Sequence, residues 1–205
     1  MFIATLFDDP LFFIRIVILV IFSITIHELA HGWAAMSQGD NTPQRLGHLT
    51  WNPVVHMGVE SLIFLVLTGI SWGQMPVNPS RFRNPKWGSI FVSTAGPLSN
   101  LCLALIFVLL LQIKFNVELT SFLSTKFLYM GAAINIRQFL FNMLPVPPLD
   151  GFHIFSEFFP EFKFLNNSNV GIFALMLLSF SGFSLGLSFV GETIIHAFIP
   201  NLAIN

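Results

Sequence analysis

The stretch Leu11-Phe12-Phe13-Ile14-Arg15-Ile16-Val17-Ile18-Leu19-Val20-Ile21-Phe22-Ser23-Ile24-Thr25-Ile26-His27-Glu28-Leu29-Ala30-His31 decides how this chain folds. Up to Ile26 it is apolar except for Arg15, Ser23 and Thr25, and it ends in a His-Glu-x-x-His pattern. A bilayer is crossed by ~20 mostly apolar helical residues, so the sequence predicts a membrane helix from Leu11 to about Ala35. Residues four apart share a helix face, so His27 and His31 can hold one zinc ion together. Glu28 then lies beside the metal, where it can take a proton from a coordinated water. The alternative is a chance match, with two histidines packed in a core and a glutamate facing solvent. Ionisable groups are costly in hydrocarbon and functional by default there, which weighs against chance.

Composition points to the same compartment. Of the 205 residues 54% are hydrophobic, only 9% are charged and 25 are Phe, a surface that would aggregate in water. A net charge of −1, with no basic stripe and no Gly-rich phosphate loop, gives no reason to expect nucleic acid as a partner. The single cysteine, Cys102, can form no internal disulfide.

Working outward, no charged residue occurs from Trp87 to Ile113 or from Phe164 to Gly191, and both stretches read as full spans. A further span runs from about Phe127 to Leu144, interrupted only by Arg137. The stretch Ser61–Ser80 is also uncharged, but Gly69, Gly73, Pro76 and Pro79 leave only Leu62–Thr68 solidly apolar. It reads as a re-entrant element, with a tilted short helix as the alternative. Leu46–Thr50 and Gly73–Val77 have the alternation and Gly/Pro borders of short strands, so a small hairpin is expected between the first and second full spans.

Basic residues near the span ends set the orientation. If residues 37–86 start and finish on the same face, Arg45, Arg81, Arg83, Lys86 and Lys163 fall on one side, and Arg15, Lys114 and Lys126 on the other. The richer face is the cytoplasmic candidate and carries the histidines. Asp8 and Asp9, with no basic residue before the first span, argue against a cleavable signal peptide.

Catalytic zinc usually takes three protein ligands and a water. Candidates for the third are the carboxylates and the remaining His48, His56, His153 and His196. Asp150 stands out. It follows Asn142-Met143-Leu144-Pro145-Val146-Pro147-Pro148-Leu149 and precedes Gly151. The prolines stop a helix and free its last carbonyls, and an unwound patch at membrane depth is tolerated only around a polar cavity. An aspartate there needs a cationic partner. Asn135, Gln138 and Asn142 form a polar stripe on the preceding helix. Interhelical hydrogen bonding suits the first two, while Asn142, next to the break, could donate to a peptide carbonyl or its oxyanion. Pro97 should kink its helix, and Ser89, Ser93, Gly96, Ser99 and Asn100 provide small surfaces for close packing.

Three signatures in order, His27-Glu28-Leu29-Ala30-His31, Ala95-Gly96-Pro97-Leu98-Ser99-Asn100 and Asn142-x-x-Pro145-x-x-Pro148-Leu149-Asp150-Gly151, resemble those of the site-2 protease family of intramembrane zinc metalloproteases, peptidase family M50. Gly47-His48-Leu49-Thr50-Trp51-Asn52-Pro53 and Pro76-Val77-Asn78-Pro79 extend the likeness, which is to the compact bacterial branch without PDZ or CBS domains. The resemblance implies one Zn2+ per chain on His27, His31 and Asp150, with Glu28 as general base and Asn142 positioning the substrate. It implies a multi-pass protein of the bacterial plasma membrane, with its site toward the cytoplasm, that cuts within or near the transmembrane helices of other membrane proteins.

The expected fold is an all-α polytopic membrane protein of about four to six membrane segments, one of them re-entrant or broken, forming a single transmembrane metalloprotease domain over residues 1–205. Two other readings compete. A catalytically inactive zinc-binding scaffold would not need Glu28. A transporter with a mid-membrane metal site should have two halves with matching broken segments, which this chain lacks.

Overall fold

In the computed structural model, residues 2–114, 124–167 and 170–199 are described, and among them the regular elements are all helical. In chain order they are α1 (Thr5–Asp8), α2 (Pro10–Ser37), α3 (Thr42–Arg45), α4 (Pro53–Thr68), α5 (Pro85–Lys114), α6 (Thr125–Asn142), α7 (Asp150–Phe158), α8 (Val170–Phe180) and α9 (Phe183–Phe198). Single 3₁₀ segments occupy Phe2–Ala4, Pro79–Arg81 and Pro160–Asn167. By length and composition, α2 and α5 can cross a membrane, with 28 and 30 residues.

Local chemistry explains where these helices begin. Asp9 Oδ1 accepts from the Phe12 amide at 2.9 Å ahead of α2, and Asn52 Oδ1 accepts from Val54 at 3.0 Å ahead of α4. Asn84 Oδ1 accepts from Trp87 at 3.0 Å ahead of α5. Each cap is followed by a proline in the first turn, where the missing N–H costs nothing. Ser124 caps α6 without a proline, accepting from Phe127 at 3.2 Å.

The long helices each carry one exposed apolar face. On α2 it is formed by Leu11, Ile14, Ile18 and Phe22, and on α5 by Phe91, Leu98, Leu105, Leu109 and Ile113. Spacings of three, four and seven keep each set on one side, and such stripes need hydrocarbon to cover them.

Several expectations change. The stretch Phe164–Gly191 is not one continuous helix: Gly182, at φ 76°, turns the chain in the left-handed region between α8 and α9. Residues 168 and 169 of that stretch lie outside the described residues. Over 61–80, α4 ends at Thr68 because Gly69 takes φ 80°, and its 16 residues fall short of a straight crossing. Gly58, at φ 71°, interrupts it internally. Among the described residues there is no strand, so the expected hairpin is absent. Residues 46–50 form a loop with Gly47 at φ 73°. The irregular segment 70–78, which ends in extended conformation at Asn78, spends its backbone groups elsewhere. Trp72 exchanges two hydrogen bonds with Ser61 Oγ (2.9 and 2.7 Å), and the Gln74 amide donates to His56 O at 2.9 Å. At its end the Asn78 amide donates to Asp40 Oδ2 at 2.6 Å.

The chain divides into two compact units, Met1–Gly96 and Pro97–Asn205, with α5 running through the boundary. In the first unit Ile24, Met57 and Leu65 are buried together, with Val17, Val20, Ile21 and Leu62 against them. A second cluster joins Ala34 and Ala35 to Phe82 and Val92. In the second unit α6 packs on α9, and the fully buried Asn100 ties α5 to α6. Its Nδ2 donates to Asn135 Oδ1 at 3.0 Å and to Gln138 Oε1 at 2.9 Å, the interhelical bonding expected of that polar stripe. Gly131 lies so close to the Phe107 ring that a Cβ there would approach it to 2.6 Å.

Asp40, just after α2, fastens the end of the irregular segment to the end of that helix. Burial works to raise its carboxyl. Hydrogen bonds from the Thr42 hydroxyl (2.5 Å) and from the amides of Asn78 and Thr42, with the charge of Arg81, outweigh burial and hold it below the usual carboxylate range. A lowered pKa in the folded state means stability present above the ordinary carboxylate value and lost as pH falls through the lowered one. Asp40→Asn, which leaves one donor without an acceptor, is expected to cost about 1–3 kcal/mol near neutral pH. Thermal denaturation from pH 6 to pH 3 should bring the two proteins together, and a gap independent of pH would contradict this account.

Candidate metal centre

His27, Glu28 and His31 lie on α2, within its last three turns, and all three are buried at 6–8% exposure. The helical repeat stacks the two imidazoles on one face: their rings meet edge to face, 4.7 Å between centroids at 80°, with the Nε2 atoms 3.0 Å apart. His31 Nδ1 lies 2.7 Å from the carbonyl oxygen of Val92 on α5. A carbonyl only accepts, so the Nδ1 proton faces it and His31 Nε2 carries a lone pair. That lone pair is aimed at His27 Nε2, an arrangement stable only with a proton or a cation between the two nitrogens. Two buried imidazoles, one held by its other ring nitrogen on a backbone carbonyl, are what a transition-metal site requires.

Gly96, one helical turn beyond Val92, makes room for them. A Cβ on Gly96 would stand 2.6 Å from His27 Nε2 and closer still to His31 Nε2. Sequence reasoning read Gly96 as a packing surface, whereas it faces the donor atoms themselves. Gly73, in the irregular segment, does the same for Glu28: a Cβ there would come 2.8 Å from Glu28 Cγ and would collide with Oε1. The role of Gly73 was not foreseen. Its signal was only a glycine inside an otherwise strand-like run, which by itself means close approach of something. Next along α2, Gly32 is approached by Leu49 and by the thioether of Met75.

In the second unit the helix break is built as the prolines imply. α6 ends at Asn142, and α7 begins at Asp150, with Leu149 before it in extended conformation. Between them the Leu144 amide returns to Phe141 O at 3.1 Å and the Leu149 amide to Val146 O at 2.9 Å. Gly151 lies directly against the carbonyls of Met143 and Leu144, with no space for a side chain. This contact fixes the first turn of α7 on the end of α6, so Asn142 and Asp150 flank one short loop. Both are half-buried. The first unit offers two imidazoles, His27 and His31, and the second a carboxylate, Asp150. The chemistry suits zinc, which takes nitrogen and oxygen donors of this kind.

Of the other histidines, His56 is fully buried and its Nε2 donates to Thr50 O at 2.7 Å. Burial, and then the neighbouring His56, push the His48 imidazole below its ordinary range. His153 lies in the first turn of α7, with its amide 3.3 Å from Leu149 O.

Comparison with known proteins gives concordant results. The sequence profile of peptidase family M50 matches residues 15–126 and 114–181. The chain is 40% identical over 151 residues to "Putative zinc metalloprotease YwhC" of Bacillus subtilis (strain 168), covering 71% of this chain and 69% of that one. It is 30% identical over 154 residues to "Putative zinc metalloprotease Rip2" of Mycolicibacterium smegmatis, covering 70% of this chain and 58% of that relative. Over 147 residues it is 21% identical to "Zinc metalloprotease MJ0392" of Methanocaldococcus jannaschii, 35% of whose length it spans. No solved structure matches.

Proposed function

The chain belongs to peptidase family M50, a family of zinc metalloproteases, and from that premise we propose that it hydrolyses peptide bonds within or near the transmembrane helices of other membrane proteins. The observation that carries this reading is the buried pair His27 and His31, with Nε2 atoms 3.0 Å apart and Glu28 beside them, at the end of a helix apolar enough to cross a bilayer. Asp150 supplies the third ligand. When bound, zinc acts as a Lewis acid that brings the pKa of a coordinated water close to neutral.

The protein's own groups do the rest. His31 is held by the Val92 carbonyl at Nδ1, so the neutral ring offers Nε2 to a metal. Glu28 takes a proton from the attacking water at a carboxylate oxygen and passes it to the amide nitrogen of the departing chain. Asn142 donates from Nδ2 to the carbonyl under attack, steadying the negative charge that develops there. A transmembrane helix hides its carbonyls in internal hydrogen bonds, so substrates must unwind before they are cut.

A multi-pass membrane location is part of the proposal, with the site toward the cytoplasm. Trp33, Trp51, Trp72 and Trp87 are all exposed and all lie in or beside the 37–86 region. Tryptophans favour the membrane–water boundary, which supports placing this region at one interface, and the excess of Arg and Lys supports the cytoplasmic one.

Metal removal tests the reading. Chelation of the purified protein in nanodiscs should abolish cleavage of a transmembrane peptide, and stoichiometric Zn2+ should restore it. Asp150→Ala should lose both bound zinc and cleavage. Undiminished cleavage by the chelated, zinc-free protein would sink the proposal.

A further inference from the structure

His48 and His56 form a second imidazole pair, separate in sequence from the first and within the Met1–Gly96 unit. Their rings stand 6.3 Å apart between centroids and nearly perpendicular, at 77°. Both Nδ1 atoms are buried and have no hydrogen-bond partner. On His56 the reason is explicit. Its Nε2–H is committed to Thr50 O at 2.7 Å, so in the neutral ring Nδ1 carries only a lone pair.

This repeats, with the ring nitrogens exchanged, what His31 does on the Val92 carbonyl: one nitrogen donates to backbone and the other is left bare. A metal-ligating histidine is characteristically oriented in that way. Buried ring nitrogens without partners are rare, and two on neighbouring rings call for a common partner. The rings are farther apart than the 4.7 Å of the His27–His31 pair. An ion bonded to imidazole nitrogens at about 2.0 Å would draw the two rings slightly together.

We propose that His48 and His56 bind a second metal ion, of the imidazole-preferring class of zinc and copper, with water completing its coordination. Magnesium and calcium are disfavoured because they take oxygen donors. The backbone around the pair is already fixed: the His48 amide donates to Pro43 O at 2.9 Å, and His56 O accepts from Gln74 at 2.9 Å. Occupancy would therefore fasten the 46–52 loop to α4 at the point where the irregular segment is anchored, one residue from Gly73 and its contact with Glu28. The inference rests on the first unit alone and does not require the protease reading.

The test is a metal count on the full chain in nanodiscs, with any affinity tag removed, after dialysis against buffered Zn2+. Wild type should hold two equivalents and His48→Gln one. The double variant His27→Ala/His31→Ala should retain one, and adding His48→Gln to it should remove that one. The double variant keeps the test decisive even if His48→Gln alone folds poorly. One equivalent in wild type, none in the double variant, or two in His48→Gln would overturn the proposal.

Discussion

Glu28→Gln is expected to abolish peptide hydrolysis while leaving zinc bound at the wild-type level. Glutamine keeps the size and shape of glutamate, so it fits the narrow space that Gly73 leaves beside Ile24 and Glu28. What it loses is the ability to accept a proton, and a positioned general base contributes about 10²–10⁴-fold to rate. The ligand histidines and the Val92 carbonyl are untouched, so metal affinity has no reason to fall. Parallel measurement of zinc by mass spectrometry and of transmembrane peptide cleavage separates the two effects. Cleavage within about tenfold of wild type would remove Glu28 from the mechanism. Loss of zinc along with activity would make Glu28 a structural residue instead.

Gly96→Ala should have an effect of comparable size by the opposite route, with zinc and cleavage lost together. Adding one methyl group to a packed interior commonly costs about 1–3 kcal/mol, as neighbours shift to relieve the overlap. At Gly96 the neighbours are the two Nε2 atoms, so the same shift moves the ligands. His31 cannot turn aside without giving up its 2.7 Å contact with Val92 O, and His27 is buried on the same face. Helix content by circular dichroism should stay near wild type while bound zinc falls to background. A Gly96→Ala protein with one zinc per chain and normal turnover would show that the helices can part without cost.

Sequence carried the reading furthest where residue type and spacing jointly determine chemistry. The stacking of His27 on His31 follows from the helical repeat, and the end of α6 at Asn142 from the prolines behind it. Composition was less reliable for counting spans. An uncharged stretch says where a helix is permitted in a membrane, not that one runs unbroken, and Gly182 divides the stretch that had read as continuous. The expected hairpin failed for a related reason. Alternation and Gly/Pro borders describe an extended chain, but whether it pairs depends on what its amides meet. For Trp72, Gln74 and Asn78 these were Ser61, His56 and Asp40. Gly73 and Gly96 were the hardest to read. A glycine reports that space is scarce without saying which neighbour fills it.

The carbonyl that holds His31 belongs to the backbone of residue 92, and this bears on how the site withstands mutation. A hydrogen-bond partner supplied by a side chain is lost when one codon changes. The oxygen at position 92 persists whatever amino acid is encoded there, as long as the helix around it keeps its course. Substitutions among similarly sized apolar residues at this position should therefore leave the imidazole correctly presented, and proline at Val92 should be far more damaging than any such exchange. The orientation of a chemically essential ring has been assigned to the part of the chain that genetic drift cannot directly rewrite.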